Sequence, residues 1–203
     1  MRSSSRDRCG SAILALCIAI IILAAPAGAL HAEYSILPDG KGYHAAIEIE
    51  DRDEFTFRGF GVFGEQIPLP VEEVEVSGEN GTIPYTWQGR DRIAFPAGNY
   101  TVHYRGSIAN NQFQATLDEP YAVTVLLPPG LDVRHLFLGW VSSGGSVTAE
   151  EDGSVSVYWE RASYVEVRFY GPLRETLFNA FGSLWLVACF ILLLPYLLGR
   201  GRG

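Results

Sequence analysis

The chain contains no cysteine between its two apolar ends. Its three cysteines are Cys9, Cys17 and Cys189, which excludes disulfide bonds, thiolate catalysis and cysteine-ligated zinc from the residues between those ends. Lysine is equally scarce, because Lys41 is the only one, whereas acidic residues are abundant. Residues 33–172 carry 21 Asp and Glu against 9 Lys and Arg, a net charge of −12. A surface of this sign repels phosphate backbones, so we expect no nucleic-acid partner.

Common catalytic signatures are also absent from the sequence. None of the four histidines belongs to a His-x-His or His-Glu-x-x-His pair, so the sequence pattern does not predict a zinc site. Residues 141–145, VSSGG, lack the glycine that stands two positions before the serine of a nucleophile elbow. We therefore expect no catalytic residue, no cofactor and a role other than an enzyme's.

A long apolar run lies close to the C-terminus. Residues 177–198 contain no charged side chain, and about 20 apolar residues are enough to cross the hydrocarbon core of a bilayer as a helix. Arg200 and Arg202 follow, which is typical of a cytoplasmic tail and predicts one at residues 199–203. The run predicts contact with the lipid bilayer. Its polar or small residues, which could pack against the helix of a membrane or envelope protein partner, are Asn179, Gly182 and Ser183.

The N-terminus has the layout of a secretory signal peptide. A basic leader precedes an apolar stretch, and the small residues 27–29, AGA, follow it, so we expect a signal peptide at residues 1–29. An uncleaved first membrane helix is the alternative. Both interpretations place residues 33–172 outside the cytoplasm and the C-terminus inside it. The predicted location is therefore the cell membrane, crossed once by the helix at residues 177–198.

The residues between the two ends show the period of β-strands. In one of several such runs, Val165 and Val167 alternate with polar neighbours such as Glu166, so one face of the strand is buried. Turn motifs rich in Gly, Pro and Asn separate the runs, and residues 151–153, EDG, predict a hairpin. We expect nine to eleven short strands and one all-β domain over residues 33–172. The spacing favours an antiparallel β-sandwich of the Ig-like type, with a closed barrel as the alternative.

Residues 59–64, GFGVFG, match the G-x-G-x-x-G fingerprint of dinucleotide-binding sites. That fingerprint requires a helix directly after it, and Pro68 and Pro70 exclude one here. We interpret the motif as a strand edge or bulge. A third interpretation is an exposed aromatic loop in which Phe60 and Phe63 touch a partner or the membrane surface.

Two further groups of residues are candidate modification or ligand sites. Asn80 and Asn99 each begin an N-glycosylation sequon in or beside a predicted turn. Near the start of the predicted domain, carboxylates are dense enough to suggest a divalent-cation site. Their spacing does not fit an EF-hand loop, so a solvated strand face followed by a turn is the simpler interpretation. The candidate cation ligands are Glu48, Glu50, Asp51, Asp53 and Glu54.

The tryptophans raise the possibility of a glycan-binding platform. Trp159 shares a predicted strand face with Val155 and Val157, so we expect it in the core. Trp87 lies in a polar, turn-like segment and is the one we expect to be exposed. A platform for sugar stacking would need several such rings on one surface.

The second half of the chain contains several short motifs: NYTV at 99–102, DEPY at 118–121, LPPGLDVR at 127–134, LG at 138–139, SSGG at 142–145 and EVRFY at 166–170. Together they resemble a family of uncharacterised archaeal membrane-anchored proteins, including ones from methanogens. The resemblance implies a prokaryotic cell surface and supplies no activity.

The sequence thus predicts a non-catalytic, membrane-anchored extracytoplasmic β-domain that serves as a structural or protein-interaction module of the cell envelope. Two alternatives stay open at this point. One is a surface module that binds a glycan or a divalent cation, and the other is an accessory subunit of a membrane complex. The sequence does not indicate the oligomeric state.

Overall fold

Buried and exposed side chains alternate along much of the long strands of the computed structural model, which describes residues 30–61 and 65–199. In the first strand Ala32, Tyr34 and Ile36 are buried and the residues between them are partly exposed. The predicted signal peptide, Phe63 and the two arginines of the predicted tail lie outside the described residues. The predicted all-β character of the domain is confirmed.

The described residues contain twelve strands and one helix. In chain order they are β1 (His31–Ile36), β2 (Gly42–Thr56), β3 (Arg58–Phe60), β4 (Gln66–Pro68), β5 (Val71–Gly78), β6 (Gly81–Thr82), β7 (Thr86–Trp87), β8 (Arg92–Ser107), β9 (Gln112–Leu127), β10 (Trp140–Val141), β11 (Ser146–Ala149), β12 (Val155–Arg168) and α1 (Pro172–Gly199).

Ten of these strands form a single sheet. Its order is β10-β12-β9-β1-β2-β8-β5-β6, with β11 paired to β12 and β7 paired to β8. The strand β1 is antiparallel to β2 and parallel to β9, in a register that places Tyr34 opposite Val125. The prediction of a purely antiparallel sheet is therefore wrong. Alternation reports only which face of a strand is buried, and this is the same for both pairing directions.

Two local predictions, one of a hairpin and one of a strand edge, can be compared with the observed strands. The turn at residues 151–153 joins β11 to β12, with Gly153 at a φ of +84°, so the predicted hairpin is confirmed. The GFGVFG segment begins in β3, which pairs with β4 in a separate two-stranded sheet. A strand rather than a helix follows it, which agrees with the interpretation as a strand edge and excludes the dinucleotide-binding geometry.

Bulges bend the two longest strand pairs of the sheet, β2 with β8 and β9 with β12. The pairing of β2 with β8 shifts register on both sides of Arg52, where Asp51 adopts a φ of +51°. The pairing of β9 with β12 shifts on both sides of Ala162. An extra residue in one strand increases the local twist and turns the strand. The segments of a long strand before and after its bulge therefore run in different directions within the sheet.

The core forms where β9 returns over the face of the sheet. The ring of Phe113, at the start of β9, lies 4.9 Å from the ring of Tyr34 and 5.0 Å from that of Tyr43. Tyr34 is also the register partner of Val125, at the other end of the same strand. Both ends of β9 thus meet β1, one beside it and one across its face. The described strands form one folded sheet, and the predicted division into two facing Ig-like sheets is not confirmed.

The helix α1 begins earlier than the sequence predicted. It starts at Pro172 instead of residue 177, because proline is well suited to a first helical position and Glu175 lies in the first turn near the positive end of the helix dipole. Within Pro172–Leu194, an 18-residue stretch reaches a mean hydropathy of 2.2, and none of that stretch is buried against the domain. By length and composition this helix is able to cross a membrane.

Candidate functional site

The five carboxylates suggested as cation ligands are exposed along β2 and its bulge. Glu48 accepts a hydrogen bond from the backbone N–H of His31 at 3.0 Å, and Glu54 pairs with Arg92 at 3.2 Å. Within residues 30–61 and 65–199, no group of three His, Cys, Asp or Glu side chains is arranged to hold a metal ion. The structure therefore does not bring these carboxylates together, and the cation site stays a prediction without geometric support.

The two sequon asparagines occupy different environments. Asn80 is exposed in the turn between β5 and β6. Asn99 is exposed as well, but its Oδ1 accepts a hydrogen bond from the backbone N–H of Asp51 at 2.9 Å. This bond holds the β2 bulge in its left-handed conformation, so Asn99 has a structural role whether or not it carries a glycan. Glycosylation itself stays a prediction for both residues.

The tryptophans do not form a common surface. Trp159 is buried at 2% exposure, and its Nε1 donates to the backbone oxygen of Ser142 at 3.4 Å, which confirms its predicted place in the core. Trp87 is 45% exposed, as predicted, and so is Trp140 at 47%. They belong to β7 and β10, which pair with β8 and β12, and three other strands separate these two in the sheet. The arrangement does not favour a sugar-stacking platform.

A small polar cleft lies between β9 and the bulged end of β2. Arg52 pairs with Glu119 at 2.9 Å, and Arg58 pairs with Asp118 at 3.2 Å. The cleft measures about 90 Å³, and the buried hydroxyl of Thr116 has no hydrogen-bond partner among the described residues. Both arginines are already neutralised by a carboxylate, so the cleft does not present free positive charge to an anionic ligand. We interpret it as the place where ion pairs link β9 to β2 and to β3, and such partly exposed pairs add little stability.

The junction between the β-domain and α1 is the most distinctive site of the molecule. Two residues after the end of β12, Tyr170 exchanges two backbone hydrogen bonds with Asp132, at 2.9 and 3.0 Å. Only Gly171 separates Tyr170 from Pro172, the first residue of the helix. The helix therefore leaves the domain without a linker, and its direction is set by a paired strand end.

A compact loop packs beside this junction, and we call residues 132–139 the juxtamembrane loop because the adjoining helix is long and apolar enough to cross a membrane. Asp132 closes its start by accepting hydrogen bonds from the backbone N–H groups of Val133, at 2.6 Å, and Arg134, at 2.8 Å. The Arg134 guanidinium also donates to Asp132, and this lowers the pKa of the carboxyl group. At the other end Gly139 passes so close to Val133 that a Cβ would lie 1.9 Å from its carbonyl oxygen. Both ends of the loop are thus held together.

Aromatic rings connect the juxtamembrane loop to the helix. The rings of His135 and Phe137 lie 5.1 and 5.8 Å from the ring of Phe178, which belongs to the second turn of α1. His135 also contacts Tyr170, with ring centroids 5.9 Å apart. The loop therefore runs alongside the helix instead of along the sheet.

The tip of the loop is strongly apolar and faces outward. Leu136 is 85% exposed and Phe137 is 75% exposed. This site was not predicted from the sequence. The signal that could have revealed it is the run HLFL at residues 135–138, which is apolar, lies between two turn motifs and does not follow the alternation of the strands.

The helix residues suggested for packing lie on one side of α1. Asn179, Gly182 and Ser183 are spaced three and four residues apart, which places them on adjacent positions of a helical surface. The Ser183 hydroxyl donates to the backbone oxygen of Asn179 at 2.8 Å, so it is satisfied within the helix. A Cβ added to Gly182 would meet no atom within 4 Å. This side is open to a neighbouring helix, and such packing stays a prediction.

Comparison with known proteins identifies the family. The chain belongs to DUF5803, a family of unknown function that matches residues 30–198. This confirms the predicted relation to an uncharacterised family. No curated protein matches the chain.

Among solved structures, an aminopeptidase N family protein from Idiomarina loihiensis is similar at 14% identity and a TM-score of 0.43. The match covers 68% of this chain and 29% of that protein, so the chain spans less than a third of the other protein's length. A similarity this low gives no argument about activity.

Proposed function

We propose that this member of DUF5803 is a single-pass membrane protein that holds its β-domain, a folded sheet of the sandwich type, against the membrane surface. In this proposal the domain is a non-catalytic structural or protein-interaction module of the cell envelope. The observation that carries the proposal is the junction. An apolar helix, unburied over residues 172–194, begins two residues after Tyr170 is paired into the domain.

The direct connection has a mechanical consequence. A Gly/Ser-rich linker would let a domain sample a wide volume above the membrane. Here Gly171 is the only residue between the last backbone pairing and the helix, and rings from the juxtamembrane loop pack against the second turn. The β-domain is therefore held at a fixed height and with a fixed face toward the membrane. A partner on the same membrane would meet the same surface each time.

The orientation rests on the ends of the sequence. The leader at residues 1–29 directs the β-domain across the membrane, and the two arginines after the apolar run hold the tail at 199–203 in the cytoplasm. Protein partners inside the bilayer would pack on the side of α1 that carries Gly182. A ligand-binding role has no comparable support, because the candidate carboxylates are dispersed and the exposed tryptophans are far apart in the sheet.

Fractionation of cells that express the full chain with a C-terminal tag tests this proposal. We expect the protein in the membrane pellet, resistant to sodium carbonate and released by detergent. Protease added to intact spheroplasts should remove the β-domain and leave the tag protected. The matched control carries Leu184→Arg and Leu193→Arg, since arginine within the hydrocarbon core disfavours insertion, by about 2.5–3.5 kcal/mol at the centre and by less toward its edges. Recovery of the unaltered chain in the soluble fraction would refute the proposal.

A further inference from the structure

We infer that the juxtamembrane loop is a second membrane contact, in which Leu136 and Phe137 insert into the lipid leaflet that faces the β-domain. The inference rests on the proposed function, because it requires α1 to span a bilayer. It adds an interaction surface on the domain itself, with lipid as the occupant.

The position of the loop along the helix carries this inference. The charge-free residues 177–198 span about 33 Å at about 1.5 Å per residue, close to the roughly 30 Å of a hydrocarbon core. This run alone fills the hydrocarbon core of the bilayer. Phe178, its second residue, therefore lies near the boundary of the hydrocarbon on the side of the β-domain. The rings of His135 and Phe137 contact Phe178 directly. The loop therefore descends to the level at which the hydrocarbon begins.

The chemistry of the loop changes with this depth. Its base contains the ion pair of Asp132 with Arg134, at the level of the strand end. Its tip presents Leu136 and Phe137, which have the largest exposed fractions among the exposed large apolar side chains of the described β-domain. Trp140, 47% exposed, follows at the start of β10, and tryptophan is typical of membrane interfaces. Polar groups thus lie toward the domain and apolar groups toward the bilayer.

Continuity with the helix selects lipid over another occupant. At the same level α1 exposes Leu177 at 59% and Phe178 at 40%, so the loop tip extends an apolar surface that already faces the bilayer. Large neighbouring apolar side chains are unusual on a surface that meets only water. The loop is also held closed by Asp132 and Gly139, so its tip is preformed and little ordering is required on insertion.

Site-directed spin labelling of the full chain in phosphatidylcholine nanodiscs tests the inference. All native cysteines are replaced by serine, and one cysteine is introduced by Leu136→Cys. Two matched variants are Val147→Cys on β11, 40% exposed and paired to the far end of β12, and Leu184→Cys on α1, 69% exposed. Power saturation then compares collisions of each label with oxygen, which concentrates in lipid, and with a water-soluble nickel chelate. Circular dichroism checks that each variant is folded.

The expected result is a positive depth parameter at residue 136, a larger one at residue 184 and a negative one at residue 147. If residue 136 resembles residue 147 while residue 184 is lipid-exposed, the loop contact is wrong and the membrane anchor stands. Low collision rates with both reagents at residue 136 would show that protein covers the tip, which also overturns the inference. If residue 184 resembles residue 147, the proposed membrane anchor itself fails.

Discussion

Truncation of Phe113 to alanine tests the feature that closes the core, which is the return of β9 over the face of the sheet. The Phe113 side chain is 1% exposed, and its ring contacts those of Tyr34 and Tyr43. These two tyrosines belong to β1 and β2. Phe113→Ala therefore removes contacts between these two strands and the start of β9, which folds over their face. The change leaves the backbone pairing of β9 with β12 in place.

The magnitude follows from the burial and the ring contacts. Removing a fully buried phenylalanine side chain costs about 3–5 kcal/mol through lost transfer free energy and a residual cavity. For a domain of this size, each kcal/mol lowers Tm by roughly 3–5 °C, so we expect a decrease of about 10–20 °C. Phe113→Leu keeps an apolar side chain and should cost much less, because it fills part of the same volume.

Urea unfolding of the full chain in dodecylmaltoside measures the effect, with tryptophan fluorescence, to which the buried Trp159 contributes, as the reporter. Leu126→Ala is a matched control, because Leu126 lies on the same strand and is 36% exposed. We expect this control to cost less than about 1 kcal/mol, since little apolar area leaves water. If Phe113→Ala is no more destabilising than Leu126→Ala, the folded-sheet description of the core is wrong.

Three further predictions follow from single sites. Burial raises the pKa of Tyr43 to about 12, so between pH 10 and 12 the unfolded chain releases a proton that the folded chain keeps. Tyr43 alone should therefore make the stability fall by about 1 kcal/mol per pH unit over this range. Unfolding at successive pH values, with tyrosinate absorbance recording the ionisation, measures this, and a stability that stays constant to pH 12 would contradict it. Gly139→Ala should open the juxtamembrane loop, because its Cβ would lie 1.9 Å from the carbonyl oxygen of Val133, and proteolysis between residues 132 and 140 should accelerate relative to wild type. Asn99→Ala should cost about 1 kcal/mol through the lost bond to the β2 bulge, whereas Thr101→Ala, which removes the same sequon, should be nearly neutral; equal costs would exclude the structural role.

The sequence was sufficient to predict the kinds of elements but not how they connect. Alternation identified the faces that are buried, and Trp159 was correctly placed in the core because it shares a face with Val155 and Val157. The parallel pairing of β1 with β9 could not be predicted, because it joins residues about 90 positions apart and leaves no mark on the local period. The early start of α1 was missed because Arg174 and Glu175 interrupt the apolar run without interrupting the helix.

Part of the candidate site could likewise be predicted from the sequence, and part of it could not. The apolar helix, the acidic domain and the leader are properties of composition over consecutive residues, so the sequence alone determined the prediction of a membrane-anchored β-domain. Only the tertiary structure placed residues 135–138 beside Phe178, because that contact depends on the pairing of Asp132 with Tyr170 and on the close passage of Gly139 past Val133. Neither is visible in a local pattern. Hydrophobicity is read along the chain, whereas the surface on which an apolar side chain emerges is set by hydrogen bonds between distant segments.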